Sequence, residues 1–293
     1  CGRMHRPCGD SHVFKEWRGK NMTGLDFLYH TLPGRFLLKG LTMPQLSKAC
    51  GRFLDEEASA FLIPLFVKKT GIDVSEYDTE NIHRFNDFFS RKILEGRRPV
   101  DLDPTHLIAP CDGLLSVWPI TKEGIFPVKQ SAYTVSSLLR DEKLARRYEG
   151  GNCFVFRLCV NHYHRYCYAD SGKKSGNRKI SGVLHTVRPI ALREVPVFTE
   201  NSREYTCIHT THFGTLLQME VGAMLVGRIV NYKEAGEAAR GEEKGMFQYG
   251  GSTIILLTEK GTVQVRKDLL INSADGTETA VRMGEMIGYE RKN

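Results

Sequence analysis

Residues Gly245 to Val265 read GMFQYGGSTIILLTEKGTVQV. A charged, glycine-bearing segment, GEAARGEEKG, leads into them. Gly250 and Gly251 then precede Ser252 and Thr253, and an apolar run follows. STIILLT is short, apolar and closed by polar residues, and TVQVR alternates, so both are expected as strands. Outward from there, HLIAP, GLLSVWPI, CFVFRLCV, YTCIHTT and TLLQMEVGAMLVGRIV have the same character. They alternate poorly with helical patterns, so an antiparallel, β-rich catalytic domain is expected over residues 101–293.

The first hundred residues read differently. Residues 1–20 form a polar tail, and 25–95 carry helical patterns. In MPQLSKACGRFLDEE, Leu46, Cys50, Phe53 and Leu54 fall on one helix face, and Pro44 suits a first turn. In NIHRFNDFFSRKI, Ile82, Phe85 and Phe89 do the same. LEGRRPVDLDP, with Gly96, Pro99 and Pro104, breaks the pattern. The fold class is therefore α+β: a helical region over residues 1–100, either packed on the rest of the protein or associating with a membrane, then the catalytic domain.

The chain has 293 residues and a net charge of +7, which favours anionic partners. The charge is spread along the sequence without a long basic block, which argues against nucleic acid. Eight cysteines without a C-x-x-C pair fit free thiols in a reducing compartment. The first twenty residues lack the apolar core of a signal peptide. The chain begins with Cys1 rather than Met, which fits a fragment or a processed product. The longest apolar run, ASAFLIPLFV, is too short to span a bilayer and contains Pro64. Basic residues beside GRFLLKG and LFVKKTG suit a helical region lying on a membrane surface instead.

Three constellations could carry chemistry. Gly250-Gly251-Ser252-Thr253 reads most simply as a glycine turn opening a strand. The same glycines would also let Ser252 reach the Gly251 carbonyl, turning the peptide into an ester. Elimination would then leave a pyruvoyl group in place of the serine. Asp112, in APCDG, reads as turn chemistry or as the acid that orients a general base. His162 and His164, in VNHYHRYCYADSG, would share one face if they lay on a strand. One of them near a nucleophile suffices for acid–base work. A metal site would need further ligands, and no known spacing joins His185, His209 and His212 to them.

Taken in order, LPGRFLLK, FNDFFSRK, APCDG, YHRY, RPIAL, ENSREYT, FGTLLQMEVGAMLVGRIV, GEEKGMFQYGGST and GEMIG resemble the phosphatidylserine decarboxylases. These are pyruvoyl-dependent enzymes made as self-cleaving precursors, and the resemblance runs from about Leu32 to Tyr289. It implies cleavage between Gly251 and Ser252, with Ser252 as nucleophile and pyruvoyl precursor. Asp112 would be the acid of the processing triad, and His164 the histidine of decarboxylation. No pyridoxal phosphate and no metal are implied. The family commonly has a second histidine three residues after the first, taken as the triad base; here that position is Cys167. His164 or His162 takes over that role, or Cys167 participates as a thiolate, or maturation is slow; we favour His164.

The implied substrate is an anionic phospholipid met at a membrane surface, decarboxylated to phosphatidylethanolamine. The cleaved chains would stay associated, and the family tends to form homodimers. A short chain without a targeting sequence suggests a bacterial enzyme at the cytoplasmic face of the membrane. Two rivals stand beside this reading. One is a decarboxylase of a free aromatic amino acid such as tryptophan. The other is a catalytically dead membrane-surface binding protein of the same fold.

Overall fold

The computed structural model describes residues 23–128, 131–224, 228–249 and 252–291. The expected polar tail, Gly250, and Gly251 of the expected Gly251–Ser252 cleavage site lie outside the described residues.

Local signals set the helices. In α1 (Gly24–His30) the Thr23 hydroxyl accepts from the Asp26 amide, and the Asp26 carboxylate accepts from the Thr23 amide. The Thr31 hydroxyl caps α2 (Leu32–Leu41) by accepting from the Gly34 amide. Pro44 sits in the first turn of α3 (Pro44–Leu54), as expected. The run containing Pro64 becomes a 3₁₀ turn, Glu57–Phe61, followed by α4 (Leu62–Thr70). Gly71 ends α4 with a φ of 67°, a left-handed conformation that glycine adopts without steric cost.

Two expectations for this region need correction. The helix around Phe85 and Phe89 is only α5 (Phe85–Phe89). The Asp87 carboxylate accepts from the His83 and Arg84 amides, which starts the helix after Ile82. Lys92–Ile93 then turns extended to pair with Tyr77–Asp78. The stripe on α3 is also not one packed face: Leu54 is buried, but Phe53 is 46% exposed.

The rest of the chain is β-rich and mainly antiparallel. Its main sheet has nine strands among the described residues. The central order is Arg203–His209, Thr215–Val221, Ser252–Thr258, Asn152–Leu158 and Gly113–Pro119, all pairs antiparallel. Every residue of Thr215–Val221 and Ser252–Thr258 is buried. That is why Ser252–Thr258 reads as a continuous apolar run: a strand packed on both faces has no solvent side to mark with polar residues. The helix Lys267–Ala274 is pinned to the sheet by Ser273, whose hydroxyl accepts from the Val117 amide.

A smaller sheet, Arg228–Asn231, Glu243–Gln248 and Arg165–Cys167, lies against this core and delivers the chain to Ser252. Its middle strand passes so close to its neighbour that a Cβ on Gly245 would lie 2.0 Å from the Val230 carbonyl oxygen. Lys244, buried in that strand, donates to Glu220 at 2.7 Å and to Asn231 at 2.6 Å, which ties it to the main sheet.

Candidate active site

Ser252 opens its strand opposite Leu158, in the middle of the main sheet, and is fully buried. Its hydroxyl lies 3.4 Å from His164 Nδ1. His164 Nε2 lies 3.1 Å from the Cys159 carbonyl oxygen. A carbonyl only accepts, so Nε2 carries the hydrogen and the Nδ1 lone pair faces Ser252. The ring is fully buried and sits on Phe89, with centroids 4.1 Å apart. Burial, then the nearby charges of Arg91 and His162, push its pKa well below the usual imidazole range. His164 is thus a neutral base aimed at a hydroxyl.

His162 does not share a strand with His164. The His162 amide donates to the Cys159 carbonyl, and the Cys159 amide donates back to His162 Nδ1, so the segment is a tight turn. The strand begins only at Arg165. Burial lowers the His162 pKa, with Asp112 opposing that shift and Arg157 adding to it.

Asp112 stands just before the strand Gly113–Pro119 and is 7% exposed. Its carboxylate accepts from Arg98 Nε at 2.9 Å and Nη2 at 2.7 Å, and from the Met283 amide at 2.9 Å. Arg98 also donates to Glu76 at 3.2 Å. The orienting bond to His164 therefore comes from the Cys159 main chain, while Asp112 is engaged by Arg98.

Cys167 is buried. Its amide donates to the Pro110 carbonyl, and its own carbonyl accepts from Gln218 Nε2. Burial pushes the thiol pKa up to about 12, so the side chain is a neutral thiol at ordinary pH. The three histidines weighed as further metal ligands are scattered: His185 against Tyr29 and Glu200, His209 against Thr215, His212 against Glu290.

Sequence reasoning missed three contributors. The Cys159 carbonyl is a backbone group and has no side-chain signature. Arg98 lay in a segment noted only for its glycine and prolines. Tyr249, just before the two glycines, packs edge-on against Phe85 and Phe89, with centroids 5.1 and 5.4 Å apart. It also borders an apolar cavity of about 550 Å³ lined by Phe53, Leu54, Leu62, Leu65 and Phe66. Two aromatic layers, Tyr249 and Phe89, separate that cavity from His164.

An in-place keto group fits this site. The Thr253 hydroxyl is buried without a hydrogen-bond partner. On the strand its side chain faces away from the Ser252 hydroxyl, so this spare donor would serve an acceptor at the main chain of residue 252.

Fold and site together define an α+β enzyme with a buried serine–histidine pair at the mouth of a central strand, two aromatic side chains from an apolar cavity. The phosphatidylserine decarboxylase family model matches residues 85–289. The chain is 44% identical over 265 residues to phosphatidylserine decarboxylase proenzyme 2 of Clostridium acetobutylicum, covering 90% of this chain and 91% of that one. It is 41% identical over 270 residues to the phosphatidylserine decarboxylase proenzyme of Ruminiclostridium cellulolyticum, covering 90% of each. A Clostridium botulinum proenzyme of the same name is 36% identical over 287 residues, covering 95% and 97%. The chain belongs to the phosphatidylserine decarboxylase family and is a carboxy-lyase, as the ordered motifs implied.

Proposed function

We propose that this chain cleaves itself between Gly251 and Ser252 and then decarboxylates phosphatidylserine to phosphatidylethanolamine. The observation that carries the reading is the 3.4 Å approach of the Ser252 hydroxyl to a buried, neutral His164. In maturation His164 Nδ1 takes the hydroxyl proton as the Ser252 oxygen attacks the Gly251 carbonyl and the peptide becomes an ester. Elimination breaks the Cα–H and Cβ–O bonds of residue 252 and releases Gly251 as a carboxylate. Water then displaces ammonia, leaving pyruvoyl at the start of the small chain. That group supplies the electron sink for loss of CO₂. His164 is the side chain in reach to move a proton at the carbon that loses CO₂.

The large chain, ending at Gly251, and the small chain, starting at residue 252, would stay together. The strand Ser252–Thr258 is hydrogen-bonded on both sides inside the main sheet.

A lipid substrate accounts for features that tryptophan would not use. The apolar cavity beside Tyr249 has room for acyl chain. Leu32 and Phe36 are each 76% exposed on α2, which carries Lys39, and Leu65 is 63% exposed on α4, which carries Lys68 and Lys69. Such a surface suits peripheral attachment to an anionic bilayer. No helix among the described residues is long and apolar enough to cross a membrane.

Intact mass of the wild-type protein beside Ser252→Ala tests the self-cleavage. Wild type is expected to split into two chains, with the small one blocked at its N-terminus. The variant is expected to stay whole at 33.2 kDa. An uncleaved wild type would move the binding-protein reading to first place.

A further inference from the structure

A second cavity, of about 340 Å³, shares Tyr249 as a wall with the apolar one. α3, Asn86 of α5 and the paired strand residues Arg228 and Gln248 wall it, and three cations line it: Lys48, Arg52 and Arg228. Lys48 and Arg52 are one helical turn apart on α3 and project together. Arg228 is paired in register with Gln248, on the strand that leads to Ser252. None of the three makes an ion pair among the described residues. The acidic wall residue, Asp55, already accepts from Asn86 Nδ2 at 2.8 Å.

Two buried polar atoms at this cavity also lack partners. Ser47 is fully buried and its hydroxyl is unbonded. Asn86 is 4% exposed, and its Oδ1 accepts no hydrogen bond. Buried orphan polar atoms cost stability, so their clustering beside unpaired cations marks a place built for a polar ligand.

We propose that this cavity is the phosphate subsite of the enzyme, binding the phosphate ester of a phospholipid through Lys48, Arg52 and Arg228. The proposal rests on the phospholipid reading above and deepens it. Both arginines can offer paired donors to phosphate oxygens, and lysine adds a point charge. One helix divides the work: the face with Ser47, Lys48, Gly51 and Arg52 borders the cationic cavity, while Cys50, Phe53 and Leu54 border the apolar one. A lipid phosphate held here would lay acyl chain across α3 into the apolar cavity. Its amino-acid end would point past Tyr249 toward Ser252.

The test uses dihexanoyl phosphatidic acid, which carries phosphate and short acyl chains but no amine. Its binding to full-length Ser252→Ala protein is followed by calorimetry below the micelle concentration. Adding Arg52→Gln and Arg228→Gln is expected to weaken binding about tenfold or more, as loss of charge-assisted hydrogen bonds implies. Arg52→Lys should recover part of it, with the melting temperature unchanged. Dihexanoylglycerol, which lacks phosphate, should bind all variants alike.

Equal phosphatidic acid binding with and without the arginines would overturn the proposal. So would an equal loss of dihexanoylglycerol binding, which would mean that the substitutions disturbed packing. Inorganic phosphate binding as tightly as the lipid would overturn the lipid assignment in favour of free phosphate. Arginine-dependent lipid binding in a wild type that never cleaves or decarboxylates would uphold the subsite and sink the parent reading.

Discussion

Two apolar runs of similar length meet opposite surroundings. Ser252–Thr258 is buried at every residue, between Thr215–Val221 and Asn152–Leu158. The run that forms the end of the 3₁₀ turn and α4 leaves Phe61 and Leu65 each 63% exposed. Hydrophobicity alone does not separate them. A central strand has hydrogen-bonded neighbours on both edges and side chains packed on both faces. A surface helix has one packed face, and α4 packs through Phe66 against Phe85, Phe88 and Phe89. The strand would hold the proposed chemistry still, and the helices expose apolar surface that suits a lipid interface. The reading predicts that damage to the first region abolishes reaction and damage to the second weakens access.

The largest effect is expected at His164. Replacing it with alanine should slow maturation by roughly 10²–10⁴-fold, the usual weight of a positioned general base. Gel analysis of fresh protein over time would read this, and near-wild-type cleavage would break the pairing with Ser252. The wild-type maturation rate should stay level as pH falls through about 6.5, the ordinary histidine value, because His164 remains neutral well below it. Stability carries the linked sign. A depressed folded pKa contributes stability that is present above about 6.5 and lost as pH falls toward the folded value. His164→Phe should flatten part of that acid slope in urea titrations.

Next comes Arg98, which joins the two regions. Its side chain is 5% exposed and bridges Asp112 and Glu76. Arg98→Gln strands a buried carboxylate, so a loss of about 3 kcal/mol is expected in denaturant unfolding. A loss below about 1 kcal/mol would mean that the bridge does not hold the helical region to the sheet.

Phe36→Ser with Leu65→Ser should cut binding to anionic vesicles by about tenfold or more, since each side chain would forfeit apolar burial in the lipid interface. Stability should move by less than about 0.5 kcal/mol per site, as for other exposed positions. Vesicle sedimentation that is unchanged would assign those side chains elsewhere. The smallest effect is expected at Cys167. With its thiol pushed up to about 12, Cys167→Ala should leave maturation within about threefold of wild type. A larger kinetic loss without a melting change would give the thiol a direct part.

How far the sequence carried differs between the regions. The strands were legible because they are short apolar or alternating runs between glycines and polar turns. Pro44 marked the first turn of α3, for the same local reason. Ile82 misled, because the Asp87 cap starts α5 after it. Phe53 misled because helical periodicity shows that a face is apolar, not what covers it. His162 misled because the turn at Cys159 depends on hydrogen bonds that leave no mark in composition.

By itself the sequence determined the α+β class, the family through its ordered motifs, and Ser252, Asp112 and His164 as the residues to examine. Only the tertiary structure decided that His164 takes its tautomer from the Cys159 carbonyl and that Asp112 is held by Arg98. It also decided that Lys48, Arg52 and Arg228 meet around one cavity. The reason is physical. Periodicity and turn chemistry are local and can be read along the chain. Tautomers, ion pairs and cavities arise where distant segments pack together.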